Sequence, residues 1–321
     1  MKRIMKLGSY QRMFINEHDR MVMLFLCKRG VSIMMNTKNV IETRDLTKIY
    51  KRYVKKEGIG GSIASLFRRE YVEKEAVSHM DLQIKEGEFV GLIGPNGAGK
   101  TTFIKMLTGI IAPTSGEISV LGYYPNDMKN AFKKQYAVVM GQKSQLFYEL
   151  TTNDILRLFK EIYEIPEHDF QRNKEYFIEL FGVRELMDVQ VRTLSLGERM
   201  KMELIVALLH EPGILFLDEP TIGLDVVASK QIRKFLKEIN EEKKTTILLT
   251  SHYMEDIRTL CKRSVVINHG VKIYDGGTEA LFGDEEPAAV MERLYGEAEP
   301  AVGSVPADDA AADCKSPKDD L

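Results

Sequence analysis

The chain has 321 residues, 44% of them hydrophobic, and its 45 Lys+Arg against 47 Asp+Glu leave a formal net charge of −2. That is enough chain for a full hydrophobic core in one large or two small domains, and the near-neutral balance excludes nucleic-acid binding through bulk electrostatics. The three cysteines, Cys27, Cys261 and Cys314, lie far apart without metal-ligand spacing, as expected in a reducing cytoplasm, and no apolar run approaches the roughly 20 residues that span a bilayer.

Residues 1–33 are basic and methionine-rich, with one apolar run from Met21 to Cys27. Charges precede that run as in a secretory signal, but it is short and no A-x-A site follows. Residues 1–37 are expected to be an N-terminal extension outside the main domain, with Met34 or Met35 as the natural start. Stretches 40–46 and 76–84 predict two strands of a small antiparallel sheet. Between them, 51–75 is basic and glycine-containing, with Ile63, Leu66 and Phe67 on a short helix. It reads as a surface insertion, or more sharply as a patch for lipid head groups or a partner.

The apolar run Phe89-Val90-Gly91-Leu92-Ile93 predicts a buried strand. Gly94-Pro95-Asn96-Gly97-Ala98-Gly99-Lys100-Thr101-Thr102 follows, the pattern GxxxxGK[ST]. A triphosphate needs many donors at close range, and backbone N–H groups supply them where no side chain blocks the approach. The next helix, with Phe103, Met106, Leu107 and Ile110 at helical spacing, adds partial positive charge at its start. Lys100 then reaches the β- and γ-phosphates and the Thr101 hydroxyl holds Mg²⁺.

Strands are predicted at 117–123 and 136–140, with Gly141-Gln142 after the second. Residues 151–192 switch to helical composition, with Thr151 or Thr152 as cap and Pro166 as a break. Ser195 and Glu198 form an S-x-x-E capping box that starts a helix running to about His210. Gly197 costs about 1 kcal/mol inside a helix, and its place in the first turn lets a ligand approach the exposed N–H groups.

Ile214-Leu215-Phe216-Leu217 ends in Asp218-Glu219. Two carboxylates on a buried strand end are expensive unless they serve something. Beside a phosphate loop, Asp218 completes the Mg²⁺ shell and Glu219 sits where an attacking water is polarised. After the turn Pro220–Asp225 come a helix at 227–240 and a strand at 245–250, with His252 at the strand end where ligands of open α/β sheets gather. A hairpin at 264–275 turns at His269-Gly270. The domain is expected to end near 285, and from about 297 the Ala-, Pro- and Asp-rich tail reads as disordered.

The order and spacing of these stretches resemble the ATP-binding subunit of an ABC transporter over residues 38–285. Gly94–Thr102 resembles the Walker A loop, Gln142 the Q-loop, Leu194–Glu198 the signature motif and Ile214–Glu219 the Walker B strand. Gly223-Leu224-Asp225 resembles the D-loop and His252 the switch histidine. Tyr50 falls at the aromatic that stacks on adenine, with Tyr53 a near alternative. The signature departs from the common LSGGQ: Leu196 replaces a glycine and Glu198 the glutamine.

The resemblance implies a phosphate-loop NTPase α/β core with a mostly parallel sheet, an N-terminal antiparallel β subdomain and an α-helical subdomain inserted at about 145–212. It implies ATP and Mg²⁺ as ligands and Gln142 as a third member of the Mg²⁺ shell. Glu219 would be the base, and His252 would hold the γ-phosphate and the water. It implies a head-to-tail dimer in which the signature residues Ser195, Gly197 and Glu198 meet the partner's nucleotide, with Asp225 in the D-loop, and a separate transmembrane permease, the chain sitting peripherally on the cytoplasmic face of the membrane. Leu146, Phe147 and Tyr148 become docking candidates alongside a role in core packing. The 51–75 insertion and the Gly-Gln-Lys-Ser-Gln form at 141–145 look like the ABC-2-type exporter group. A soluble relative acting on the ribosome or DNA is the other class, but this chain carries one cassette and no sustained heptads. No role for nucleic acid is expected, and the transported substrate is not written in this chain.

Overall fold

The computed structural model describes residues 4–7, 10–17, 20–27, 30–35, 38–53, 71–141, 143–251 and 253–296. Gln142, His252, the insertion residues 54–70 with Ile63, Leu66 and Phe67, and the tail from 297 lie outside the described residues. Strands β1 (Ile4–Leu7), β2 (Tyr10–Glu17), β3 (Arg20–Cys27) and β4 (Gly30–Met35) form an antiparallel sheet in chain order. The run Met21–Cys27, weighed above as a signal segment, lies in β3; a continuous apolar run carries no period-2 signal, so its strand character is not visible in the sequence.

A second sheet joins β5 (Asn39–Tyr53), β6 (Tyr71–Lys85) and the later β8 (Ser115–Val120), with β5 central and every pair antiparallel. The expected strands 40–46 and 76–84 are only the proximal halves of this hairpin. The ladder continues through Tyr50 opposite Lys74 to Tyr53 opposite Tyr71, so both ends of the expected 51–75 insertion are strand. Their Lys and Glu residues alternate on a two-sided polar ribbon and lack the apolar period that marks a strand.

The main sheet has the order β13-β12-β7-β11-β10-β9. Here β7 is Phe89–Ile93, β9 Tyr136–Met140, β10 Ile214–Asp218, β11 Thr246–Thr250, β12 Arg263–Asn268 and β13 Val271–Gly277. All neighbours run parallel except the edge hairpin β12–β13. Every residue of β7 and β11 is buried, the signature of parallel strands covered on both faces. The hairpin turns at His269 (φ 47°) and Gly270 (φ 82°), as expected; two positive φ angles match the right-handed strand twist.

The helices are α1 (Lys100–Leu107), α2 (Asn130–Lys133), α3 (Thr152–Tyr163), α4 (Glu167–Phe181), α5 (Leu196–Leu208), α6 (Val226–Lys243), α7 (Met254–Leu260), α8 (Thr278–Phe282) and α9 (Pro287–Gly296). Thr151 caps α3 through a capping box with Asp154, and Pro166 precedes α4. Helix α1 stops sooner than the apolar spacing suggests: Thr108 caps it, Gly109 turns at φ 74°, and Ile110 is 55% exposed. Helix α9 lies within the stretch expected to be tail from 286, yet it buries Val290 and Met291 in the larger core.

That core lies between the main sheet and helices α3 to α7, where Phe181 packs against Phe235. The second core lies between the two sheets and around α1, with Phe103, Phe132 and Phe216. Beyond α5, His210 stacks on Tyr163 with ring centroids 3.9 Å apart and donates from Nε2 to Tyr136 O at 3.3 Å. Burial pulls its pKa down to about 4, the hydrogen bond to Tyr136 opposing only in part. A neutral histidine in the fold and an ordinary one near 6.5 when unfolded means the unfolded chain binds the extra proton. This contribution to stability is therefore complete above pH 6.5 and is lost as pH falls toward 4, by up to about 3 kcal/mol. Urea midpoints measured between pH 7 and 4 should fall, and His210→Gln should flatten that slope; an equal slope in the variant would contradict the assignment.

Candidate functional site

The site forms where the parallel strands end. Asp218 of β10 lies opposite both Thr250 of β11 and Met140 of β9, and Thr250 lies opposite Leu92 of β7. Four chain segments therefore leave the sheet side by side, at the carboxyl edge where open α/β sheets bind ligands.

The Gly94–Thr102 loop leaves β7 and is held by backbone from both sheets. A Cβ on Gly94 would lie 2.3 Å from Ile267 O, and one on Gly99 would lie 2.2 Å from Ala76 O. Gly97, at φ 79°, has open space where its Cβ would be, so its need is for backbone conformation and an uncovered N–H. Gly270 N donates to Ala98 O at 2.9 Å, fastening the loop to the β12–β13 turn. Lys100 folds back, its Nζ donating to Gly94 O at 2.6 Å and Pro95 O at 3.0 Å. Burial lowers its pKa, with Glu219 and Asp218 pulling the other way.

The two carboxylates face this loop. Thr101 Oγ1 donates to Asp218 Oδ2 at 3.2 Å, and Thr250 Oγ1 donates to Asp218 Oδ1 at 2.6 Å. Two hard oxygen ligands side by side, a hydroxyl and a carboxylate, suit Mg²⁺ shared with phosphates. Glu219 sits at φ 55° and its N–H donates to Thr250 O at 3.0 Å. Gly141 has no room for a Cβ, which would lie 2.0 Å from Glu219 O; the backbone before Gln142 thus packs directly on the backbone of Glu219.

A cleft of about 590 Å³ brings together Tyr50, Asn96 to Thr102, Asp218 and Glu219. Tyr50 reaches it from β5 and is 40% exposed, with the Lys48 ammonium 5.4 Å from its ring centre. Three lysines given no role in the sequence reading, Lys74, Lys105 and Lys143, also line it. Lys74 was hidden in the supposed insertion, and its pairing with Tyr50 is the only signal that places it. Thr250 was missed as well, because its role depends on register.

Among the described residues, the cleft lining includes none of Ser195, Gly197, Glu198 and Asp225. Ser195 caps α5: its Oγ accepts from Glu198 N at 3.3 Å, and Glu198 Oε2 accepts from Ser195 N at 2.9 Å. The hydrogen bonds from Ser195 hold the Glu198 carboxyl below its usual pKa. Gly197 has a reason inside the chain: a Cβ there would lie 2.9 Å from the Ala228 Cβ, so the glycine lets α5 and α6 start against each other. Asp225 caps α6, its Oδ1 accepting from Ala228 N at 2.8 Å. Of the docking candidates, Leu146 is buried in the core, whereas Phe147 and Tyr148 are 52% and 45% exposed. The Arg199 guanidinium lies 4.8 Å from the Tyr148 ring centre, tying the segment after Gln142 to helix α5.

A glycine-rich loop between a buried parallel strand and a helix, facing an Asp-Glu strand end, defines a phosphate-loop nucleotide hydrolase. The profile of the ABC transporter family matches residues 77–222. The ABC transporter ATP-binding protein NatA of Bacillus subtilis is 36% identical over 211 residues, which is 66% of this chain and 85% of NatA. The Nod factor export ATP-binding protein I of Cupriavidus metallidurans is 34% identical over 233 residues, 73% of this chain and 76% of that protein. A solved ATP-binding subunit of an ABC transporter superposes with a TM-score of 0.65 at 26% identity, over 79% of this chain and 99% of that one. The chain belongs to the ABC transporter family and is an ATP-binding subunit; ATP binding and hydrolysis are the activities of that family.

Gly94→Ala should cost about 1–3 kcal/mol, because a methyl is driven into the Ile267 carbonyl. Urea unfolding measures the loss; a wild-type midpoint would show that the loop does not depend on this contact.

Proposed function

We propose that this chain is the Mg²⁺-dependent motor of an export-type transporter. It binds ATP between two copies arranged head-to-tail and drives a separate transmembrane permease from the cytoplasmic face of the membrane. The observation that carries the reading is the division of the site: one chain gathers Tyr50, the phosphate loop, Asp218 and Glu219 in one cleft and keeps the Ser195 helix start out of it. The N-terminus of a helix suits an anion, and a second copy is the simplest source of that anion. The export direction draws support from the Nod factor exporter among the relatives. Peripheral attachment fits the finding that, among the described residues, no helix is long and apolar enough to cross a membrane.

In this reading Tyr50 stacks on the base while Gly94, Pro95, Asn96, Gly97, Ala98, Gly99 and Thr102 wrap the phosphates. Lys100 exchanges the Gly94 and Pro95 carbonyls for phosphate oxygens. Thr101, Asp218 and Gln142 hold Mg²⁺, which neutralises phosphate charge. Glu219 takes the proton from a water whose oxygen attacks the γ-phosphorus as the bond to the bridging oxygen breaks. His252 holds the γ-phosphate and that water. Ser195, Gly197 and Glu198, with Asp225 at the boundary, complete the partner's site, and exposed Phe147 and Tyr148 dock the permease. The transporter relatives favour this over a soluble ATPase of the ribosome or DNA.

Glu219→Gln should cut turnover by about a hundredfold or more with ATP affinity retained. Lys100→Ala should weaken ATP binding by about tenfold or more. Normal hydrolysis by the first or unchanged affinity in the second would remove the assigned role. Tagged purification from detergent-solubilised membranes tests the larger claim. A polytopic membrane protein in near-equal amount is expected; recovery with ribosomes or DNA and no membrane protein would overturn it.

A further inference from the structure

Asp256, on α7, is 1% exposed and belongs to none of the motifs. A buried carboxylate is costly unless it is fully engaged, and this one is bound by three side chains. Arg233 of α6 donates to its Oδ1 at 2.8 Å. The Thr221 hydroxyl donates to Oδ2 in a short hydrogen bond, and Ser251 Oγ donates to Oδ2 at 2.9 Å. Thr221 and Ser251 are themselves 3% and 1% exposed.

Two of the partners flank reacting groups in the sequence: Thr221 follows Glu219, and Ser251 precedes His252. Thr221 is two residues beyond Glu219, whose φ of 55° puts a non-glycine residue in the left-handed region. Such strain, about 1–3 kcal/mol, persists only where the surroundings over-determine it. Glu219 O accepts from Ile222 N at 3.2 Å, so Thr221 lies inside the same tight turn. Ser251 directly precedes His252, and its Oγ also accepts from Tyr253 N at 3.0 Å. One hydroxyl thus joins Asp256 to the Tyr253 N–H.

We propose that Asp256 is a positioning residue for ATP hydrolysis: clamped by Arg233, its carboxylate holds the Glu219–Ile222 turn and Ser251 in a fixed mutual position. The inference rests on the reading of Glu219 as the base. Asp256 is itself buried and does not line the nucleotide cleft.

The test uses the full chain and Thr221→Val, Ser251→Ala, Thr221→Ser and Glu219→Gln, measuring kcat, ATP affinity and Tm. Thr221→Val and Ser251→Ala should each lower kcat by about tenfold to a hundredfold, the scale of a small misplacement of reacting groups. ATP affinity should stay within about twofold of wild type, because the loop residues are unchanged, and Thr221→Ser should restore kcat. All rates are taken well below each variant's Tm. Wild-type kcat in Thr221→Val and Ser251→Ala, with a lowered Tm alone, would make the network purely structural and overturn the proposal. So would an equal loss in Thr221→Ser and Thr221→Val. An active Glu219→Gln would instead overturn the base assignment, whatever the other variants do.

Discussion

The register of the parallel sheet is the constraint on which the site depends. Because Asp218 lies opposite Thr250 and Met140, and Thr250 opposite Leu92, the four strands end at one level. A slip of one residue in any pair would turn its side chains to the other face. It would separate Thr101 from Asp218, or Thr250 from both Asp218 and the Glu219 N–H. The register is in turn specified by burial, since β7 and β11 are buried throughout and the first four residues of β10 are as well.

On that level edge the loop is held by close backbone approaches from both sheets. Ile267 O approaches at Gly94, Ala76 O at Gly99 and the Gly270 N–H at Ala98. Two of these come from the edge hairpin and one from β6, so the loop is the point where the two sheets meet. The antiparallel sheet also delivers Tyr50 to the same cleft. In the proposed reading, base, phosphate and metal positions then belong to different layers, and the loop must remain glycine-rich to let those layers approach. The Ser195 helix start belongs to another part of the molecule, where Gly197 lets α5 pack on Ala228.

The groups that line the site and the capped start of α5 were legible in the sequence because they depend on residue types at short spacing: GxxxxGK[ST], Asp218-Glu219, and the Ser195–Glu198 capping box. The strands at 89–93 and 136–140 were legible too, since a buried strand is a continuous apolar run between turn residues. What was not legible depends on contacts distant in sequence. The length of the β5–β6 hairpin is hidden because its outer half is polar on both faces, and with it the place of Lys74. Helix α9 is short and sits beside a low-complexity tail, so its two buried residues carry no period. The packing reason for Gly197, the Ala228 methyl against it, is likewise a contact distant in sequence. Asp256 and Thr250 look like ordinary polar residues of a helix and a strand; only burial and register mark them.

The account requires that one chain hold half of each nucleotide site. The direct measurement is the solution mass of Glu219→Gln by light scattering, with and without Mg-ATP, beside the same variant carrying Ser195→Ala. A doubling of mass on Mg-ATP, abolished by the added Ser195→Ala, is the predicted result. A monomer that binds ATP stoichiometrically and keeps its mass would contradict the divided site.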